Sequence, residues 1–387
     1  MIALLARLFL KPNQRPEAAL RKGYGILCGA VGVFLNVALF AGKFAAGTLS
    51  GSIAITADAF NNLSDAGSSF ISLLGFYLAG QKPDPDHPFG HGRMEYLSGL
   101  VISMLILLMG FELGKSSVQK ILHPVPVDSS PLVLIILAVS IAVKLYMAFY
   151  NHRLGKRLNA PAMHVTAIDS LCDCIATSVV LLATLAGRAT GLALDGWAGI
   201  LVTVFILWSG IKAAKDTIDP LLGTPPAPEF VENIREIVLQ HPGIVGIHDL
   251  IVHNYGPGRV MISLHAEVSD AGDLLTTHEQ IDHIERELQE TLGCHTVIHM
   301  DPVAVGDRHT DEVRSRIETL VRCIDESISI HDFRLVPEGD TVCVVFDAAV
   351  PFHFRLTDRQ VEERIVTAVQ ALDSTCRVIV RVERPFT

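Results

Sequence analysis

The chain has 387 residues, of which 50% are hydrophobic, and its mean hydropathy of +0.40 is too high for an ordinary soluble protein. The net charge of −10 and the pI near 5.9 argue against a nucleic-acid partner, because no stretch dense in lysine and arginine is present to neutralise phosphates. Apolar runs crowd the part before about Asp219 and most charge follows it, which indicates a membrane half followed by a soluble half.

Six segments in the first half are long and apolar enough to cross a membrane, for which about 20 residues are needed. They cover residues 24 to 49, 52 to 80, 96 to 121, 131 to 150, 162 to 187 and 194 to 215. The first segment follows a basic arm and runs on without a credible cleavage pattern, so we predict a retained span rather than a signal peptide. Lysine and arginine also gather in the connections 81 to 95 and 151 to 158, which predicts that both termini are cytoplasmic.

The second and fifth segments each carry two polar side chains four residues apart, Asn61 with Asp65 and Asp169 with Asp173. An ionised aspartate at the centre of a bilayer costs about 2.5–3.5 kcal/mol on insertion scales, so three of them need compensation. Residues at i and i+4 share a helix face, and two such helices packed together would direct all four side chains to one point. Hydrogen bonding between helices could explain Asn61 alone, but three aspartates at matched spacing indicate a cation or proton site.

The connection after the second segment contains Asp84, His87 and His91 among prolines and glycines that set turns. Their spacing suits joint binding of a metal ion. A solvated polar loop would also contain such residues, so the loop site is a hypothesis that the sequence alone does not decide.

After Pro220 the hydrophobic pattern changes to that of a globular protein. Periodicity predicts a helix at 229 to 240, strands at 244 to 253 and 259 to 268, a helix at 276 to 292 and a strand at 295 to 301. This αββαβ order predicts a small ferredoxin-like α+β sandwich. Further helices predicted at 311 to 323 and 358 to 372 indicate a second, diverged copy, with chance self-similarity as the alternative.

The domains expected from this pattern are residues 1–219 in the membrane, 220–305 as a metal-binding αββαβ domain and 306–387 as its second copy. Seven scattered cysteines without a CxxC pair favour reduced thiols rather than disulfides. We therefore expect the soluble half to lie in the cytosol.

Histidines in the first soluble copy fall at strand ends and at a helix start, and an aspartate lies two residues beyond the last of them. The set is His248, His265, His278, His299 and Asp301. Residues at i and i+2 of a strand face the same side, so His299 and Asp301 form a pair. Each histidine singly is explained as well by packing or solvation, but imidazole together with carboxylate suits a zinc-like divalent ion.

Four stretches together resemble the cation diffusion facilitator family: TADAFNNLSD at 56–65, DHPFGHGRME at 86–95, DSLCD at 169–173 and IHMDP at 298–302. The resemblance covers about residues 20 to 303, and the duplicated C-terminal part is similar to the manganese-type branch. It implies a homodimer in the cell membrane that exports a divalent metal from the cytosol in exchange for protons by alternating access. It implies no cofactor, only metal as substrate and as a bound structural or regulatory ion.

The resemblance also implies roles for the residues found above. Asn61, Asp65, Asp169 and Asp173 fall on the transport site, Asp84, His87 and His91 on the loop site, and His248, His265, His278, His299 and Asp301 on a cytoplasmic site that stabilises the dimer. The second soluble copy keeps His331 but has Asp347, Gln360, Arg381 and Glu383 where the first copy has metal-binding residues. We therefore expect the second copy to bind no metal and to serve packing or dimer contacts.

The predicted transport site contains three carboxylates and an amide oxygen. Oxygen donors suit manganese, magnesium and calcium, whereas imidazole favours zinc and copper, so manganese(II) is the leading prediction. Export of zinc, iron, cobalt or cadmium is the alternative within the same family. Two rivals from other classes are an intramembrane aspartyl protease, whose usual motifs are absent from the sequence, and a membrane-anchored metal sensor, which needs no buried carboxylates.

Overall fold

The computed structural model describes residues 2–10, 17–50, 53–123, 131–190, 195–270, 272–304, 307–338, 341–372 and 376–384. The chain forms two compact units. The first comprises Met1–Thr224 with Tyr255–Gly258, and the second comprises Pro225–Asn254 with Arg259–Thr387.

The first unit is helical. Its helices are α1 (Ile2–Phe9), α2 (Glu17–Ser50), α3 (Ile53–Ala79), α4 (Met94–Leu122), α5 (Pro131–Arg157), α6 (Pro161–Thr190) and α7 (Asp195–Leu222). Among the described residues, four stretches are apolar and long enough to cross a membrane: Ala19–Ala46, Met94–Leu122, Pro131–Arg157 and Gly196–Leu222. Helices α3 and α6, with 27 and 30 residues, are also long enough but each contains two aspartates, and the predicted count of six spans stays a prediction.

The helices of this unit turn apolar side chains outward and many polar ones inward. Leu201, Phe111 and Trp197 are 72%, 68% and 67% exposed, whereas Ser103 and Thr217 are fully buried. A soluble protein would avoid an outer surface so rich in large apolar side chains, but hydrocarbon is a suitable solvent for it. The unit therefore has the surface of a membrane protein, and its interior contains polar side chains beside apolar ones.

Small residues allow α2 and α3 to pack closely. A Cβ atom on Gly29 of α2 would lie 2.9 Å from the Cα atom of Leu73 on α3, a separation that side chains do not tolerate. Helix α5 packs in turn against α6, and α6 contacts α4 and α7. This arrangement brings polar residues of α3, α5 and α6 into one interior region.

The second unit begins with the predicted αββαβ order. Its elements are α8 (Pro228–Leu239), β1 (Ile244–Asn254), β2 (Val260–Ser269), α9 (Leu274–Leu292) and β3 (Cys294–Val303), each within two residues of the predicted bounds at either end. Strand β2 is central, antiparallel to β1 and parallel to β3. Helix α9 begins where the Asp273 carboxylate accepts a bond from the Thr276 amide, and it ends at Gly293, whose φ of 69° favours glycine.

The remaining elements repeat this order as α10 (Arg308–Ile324), β4 (Ser329–Glu338), β5 (Thr341–Ala349), α11 (Asp358–Leu372) and β6 (Arg377–Glu383). Strand β5 is central, antiparallel to β4 and parallel to β6. Each half has its own apolar core, with Leu264 and Ile284 in the first and Phe346 and Ile365 in the second. The two halves thus share one architecture, while descent from a duplication stays a prediction.

Candidate metal sites

A buried lysine lies among the carboxylates in the interior of the helical unit. Nζ of Lys144, on α5, is 2.6 Å from Oδ2 of Asp65 on α3 and 2.7 Å from Oδ2 of Asp173 on α6. Asp169, one turn before Asp173 on α6, is 4% exposed and lies close enough to interact electrostatically with Lys144. We call these four residues the carboxylate–lysine cluster.

This cluster contains all three aspartates that the sequence singled out, together with a cation that the sequence reading missed. Lys144 is 3% exposed, and a charge so deep in a helical unit needs partners. A signal was available, because Lys144 lies between apolar residues on both sides within the fourth predicted span. Each charge is thus retained in the interior by charges of opposite sign.

The amide beside Asp65 is not the one that the sequence predicted. Nδ2 of Asn62 donates to Oδ2 of Asp65 at 3.3 Å, and Asn62 is 4% exposed. Asn61 is exposed. The assignment of Asn61 to the cluster is therefore corrected to Asn62, which lies at i, i+3 from Asp65, a spacing that also brings side chains together on a helix.

Two oxygen atoms of this region have no partner among the described residues. Oδ1 of Asp169 and Oδ1 of Asn62 are both buried without a hydrogen bond. Buried acceptors without donors are costly, and a cation or a protonated group would satisfy them. The donor set of carboxylate and amide oxygens matches the preference of hard divalent ions.

The predicted loop residues come together between α3 and α4. Oδ1 of Asp84 is 3.2 Å from Nδ1 of His87, and Oδ2 is 3.4 Å from Nε2 of His91. Ligand atoms of the three residues lie within 4.8 Å of one another. Desolvation acts to raise the pKa of Asp84, but hydrogen bonds from the backbone and ring of His87 outweigh it and lower the pKa. The carboxylate is thus kept ionised and available as a ligand.

In the second unit, three of the predicted histidines converge on the carboxylate of Asp301, which the sequence also predicted. Oδ2 of Asp301 is 2.8 Å from Nδ1 of His265 and 3.2 Å from Nε2 of His248, and Oδ1 is 3.3 Å from Nε2 of His299. The strand register explains this, because His265 of the central strand pairs with His248 on one side and His299 on the other. The group offers imidazole and carboxylate ligands of the kind that zinc-like ions use.

His278 does not join this group within the chain. Its side chain is 60% exposed on α9, with Nδ1 3.6 Å from Oδ1 of Asp282 one turn later. His278 thus lies apart from the other members within one chain, and its place in a cytoplasmic site that stabilises a dimer stays a prediction. A helix start cannot be oriented from sequence spacing alone, so spacing does not separate this histidine from the strand residues.

Asp249 is a further acidic neighbour that the sequence reading missed. Oδ2 of Asp249 is 3.6 Å from Nδ1 of His248. Burial and the nearby His331 lower the pKa of His248. Burial acts to raise the pKa of Asp249, but a hydrogen bond with Glu383 and the charge of His331 outweigh it and lower the pKa. His248 is therefore kept neutral, the form that can bind a metal.

Comparison with known families matches both parts of the chain. The family model for the cation efflux transmembrane domain matches residues 30–222, and that for the cation efflux protein cytoplasmic domain matches residues 226–303.

Curated proteins also match along the chain. An uncharacterised transporter of Methanocaldococcus jannaschii is 30% identical over 233 residues, which cover 60% of this chain and 82% of that protein. The cation-efflux pump FieF of Escherichia coli (strain K12 / DH10B) is 28% identical over 266 residues, covering 67% of this chain and 86% of the pump. The FieF protein of Escherichia fergusonii is 27% identical over 260 residues.

Proposed function

The chain belongs to the cation efflux family, the cation diffusion facilitators, and from this premise we propose that it exports manganese(II) from the cytosol in exchange for protons. The observation that carries the proposal is the convergence of Asp65, Asp169 and Asp173 on one buried ammonium, that of Lys144. Three carboxylates in the interior of a membrane unit require a cation, and an efflux protein provides one as substrate.

Lys144 acts as a tethered substitute for the transported ion. Its ammonium bridges Asp65 and Asp173 as an incoming cation would. With all four groups ionised, three carboxylates and one ammonium leave two negative charges, which a divalent cation neutralises. Metal therefore binds when the ammonium leaves its position between the two carboxylates, and the ammonium returns when the metal departs.

Proton exchange follows from the same carboxylates. Metal and protons compete for the oxygens of Asp65, Asp169 and Asp173, because a ligand must be deprotonated to bind a metal. Metal release on the far side frees these oxygens to accept protons, which the carboxylates then carry back.

The choice of manganese rests on the donors. The cluster offers the carboxylate oxygens of Asp65, Asp169 and Asp173, and the neighbouring Asn62 offers a buried amide oxygen without a partner among the described residues. The ammonium of Lys144 has no lone pair and is not a metal ligand. Oxygen donors suit manganese better than the softer zinc, cadmium or cobalt. Octahedral manganese could complete its shell with water or backbone carbonyls.

The assembly and location follow the family. We propose a homodimer in the cell (inner or plasma) membrane with both termini in the cytoplasm, on the basis of the basic connections and of the match to the family's cytoplasmic domain. The partners are thus the bilayer, a second copy of the chain, divalent cations and protons. Metal at the loop and cytoplasmic sites serves as a structural or regulatory ion, and no other cofactor is proposed.

Transport by purified protein in liposomes tests the proposal. Uptake of manganese, zinc, iron, cobalt and cadmium is measured singly and in competition, with a pH-sensitive dye on both sides of the membrane. We expect manganese to be taken up fastest, with protons moving the opposite way. A preference for zinc would overturn the choice of metal. Intact metal binding without metal-dependent flux would overturn transport and favour a membrane-anchored sensor.

A further inference from the structure

A cluster of metal-binding side chains lies where the two αββαβ copies of the second unit meet. Nε2 of His331, on β4, is 2.7 Å from Oε1 of Glu383 on β6 and 3.7 Å from Oδ1 of Asp249 on β1. One ligand atom of each residue lies within 4.8 Å of the other two. We propose that these three residues, the seam site, bind a divalent transition metal ion with His248 as a fourth ligand.

The buried side chain of His248 is a second, independent indication that an ion binds here. Its side chain is 8% exposed, and neither ring nitrogen has a hydrogen-bond partner among the described residues. The nearest carboxylate oxygens, on Asp301 and Asp249, are 3.2 Å and 3.6 Å away but are not aligned for hydrogen bonds. The ring lies 4.6 Å from that of His331, centroid to centroid. A buried imidazole without a partner is costly unless an ion binds it.

The fold explains why these residues meet. His248 precedes Asp249 and His331 precedes Asp332, and both aspartates have left-handed backbones, with φ of 50° and 52°. Both dipeptides lie where the antiparallel pairing of the first two strands of their copy is interrupted. His248 and His331 are therefore equivalent residues of the two copies, and they contact each other as equivalent residues do across a two-fold axis.

The seam site is distinct from the group around Asp301. The two share only His248, which lies between them. The other members of the latter, His265, His299 and Asp301, lie on β2 and β3, whereas the seam site needs His331 and Glu383 from the second copy. Its two carboxylates and two imidazoles form a mixed oxygen and nitrogen set that suits zinc or manganese. This departs from the expectation that the second copy binds no metal, and it does not depend on the transport proposal.

Metal counting on the full-length protein tests the seam site. Protein in detergent is stripped of metal and titrated with zinc and, separately, with manganese, and bound ions per chain are measured after removal of excess. We expect His331→Ala and Glu383→Gln each to bind one ion fewer than the parent protein. His353→Ala and Glu362→Gln, which change exposed residues of the same copy, are the matched controls and are expected to bind as the parent does.

A second comparison separates the seam site from the neighbouring group. We expect His299→Ala to lose one ion and the pair His299→Ala with His331→Ala to lose two. Loss of only one ion by the pair His299→Ala with His331→Ala would mean one shared site. Unchanged binding by both seam variants would mean that His331 and Glu383 form only an ion pair. Either outcome overturns the proposal. Glu383→Gln preserves side-chain shape, so it decides the matter if His331→Ala fails to fold.

Discussion

Nζ of Lys144 lies 2.6 Å from Oδ2 of Asp65, and both side chains are nearly inaccessible to solvent. A buried ion pair of this kind adds little net stability, because the cost of desolvating the two charges offsets their attraction. Removal of one partner strongly destabilises the fold, because it leaves the other charge buried and unpaired. Under the proposed function the pair has a second role, because the ammonium would take up the position where the transported cation binds. The predictions that follow start from this pair.

Lys144→Gln should separate two roles of the lysine, that of an ion-pair partner that stabilises the fold and that of a substitute for the transported ion. Without its ammonium, Asp65 and Asp173 repel each other, so we expect the metal-free variant to be less stable by about 3–5 kcal/mol. Manganese should restore stability more than it does in the parent protein, because it no longer displaces a bound cation. The melting temperature with and without manganese measures this. An equal metal-induced rise in both proteins would contradict the tethered-cation account.

Asn62 and Asn61 form a matched pair of adjacent amides. Asn62 contacts Asp65 whereas Asn61 is exposed, so we expect Asn62→Ala to weaken manganese transport about 10- to 100-fold and Asn61→Ala to have little effect. Asn62→His should shift competition transport toward zinc, since it adds an imidazole. If Asn61→His shifts the preference and Asn62→His does not, the assignment reverts to the residue that sequence spacing favoured.

The loop residues offer a binding test apart from transport. His91→Ala removes one of three ligands, and we expect the variant to bind one ion fewer per chain in equilibrium dialysis. Asp86→Ala, in the same exposed loop, is the control and should keep the full number. Metal-dependent flux should remain measurable in both variants, because the loop is outside the carboxylate–lysine cluster. Equal metal counts for the two variants would exclude a loop site.

A second buried ion pair holds α2 against α4. Nη2 of Arg21 is 2.8 Å from Oε1 of Glu95, whose side chain is 2% exposed. Arg21→Met should destabilise the protein by about 3–5 kcal/mol because it leaves a buried carboxylate unpaired, and adding Glu95→Leu should recover much of the loss. Arg153→Met, on an exposed arginine, is the control. Melting temperatures of the parent protein and these three variants decide the matter. A greater loss in the double variant than in Arg21→Met would count against the coupling.

The helices and strands of the second unit were predictable, because the alternation of apolar and polar residues in strands and the helical periodicity of apolar residues are strong signals over short segments. Strand β1 and helix α9 both lie within two residues of their predicted bounds. The contact between Asn62 and Asp65 was not predictable, because side chains three and four residues away are both within reach on a helix. Only the rotation of α3 in its packing distinguishes Asn61 from Asn62.

Contacts between residues far apart in the sequence could not be predicted either. Lys144 lies 79 residues from Asp65 in the sequence. His331 lies 82 residues from Asp249 (331 − 249). No local sequence pattern connects either pair. The presence of a lysine in an apolar span was a signal by itself, since such charges are rare without a function. Which carboxylates it would contact required the fold.

The central claim, that the carboxylate–lysine cluster exchanges metal for protons, is tested most directly by paired flux measurements on Asp173→Asn. This change removes one ionisable carboxylate that contacts Lys144 while preserving side-chain shape. Glu112→Gln, on an exposed glutamate of α4, is the matched control. We expect Asp173→Asn to abolish both manganese uptake and opposing proton movement in liposomes, with the control retaining both. Unchanged manganese and proton flux through Asp173→Asn would contradict the account.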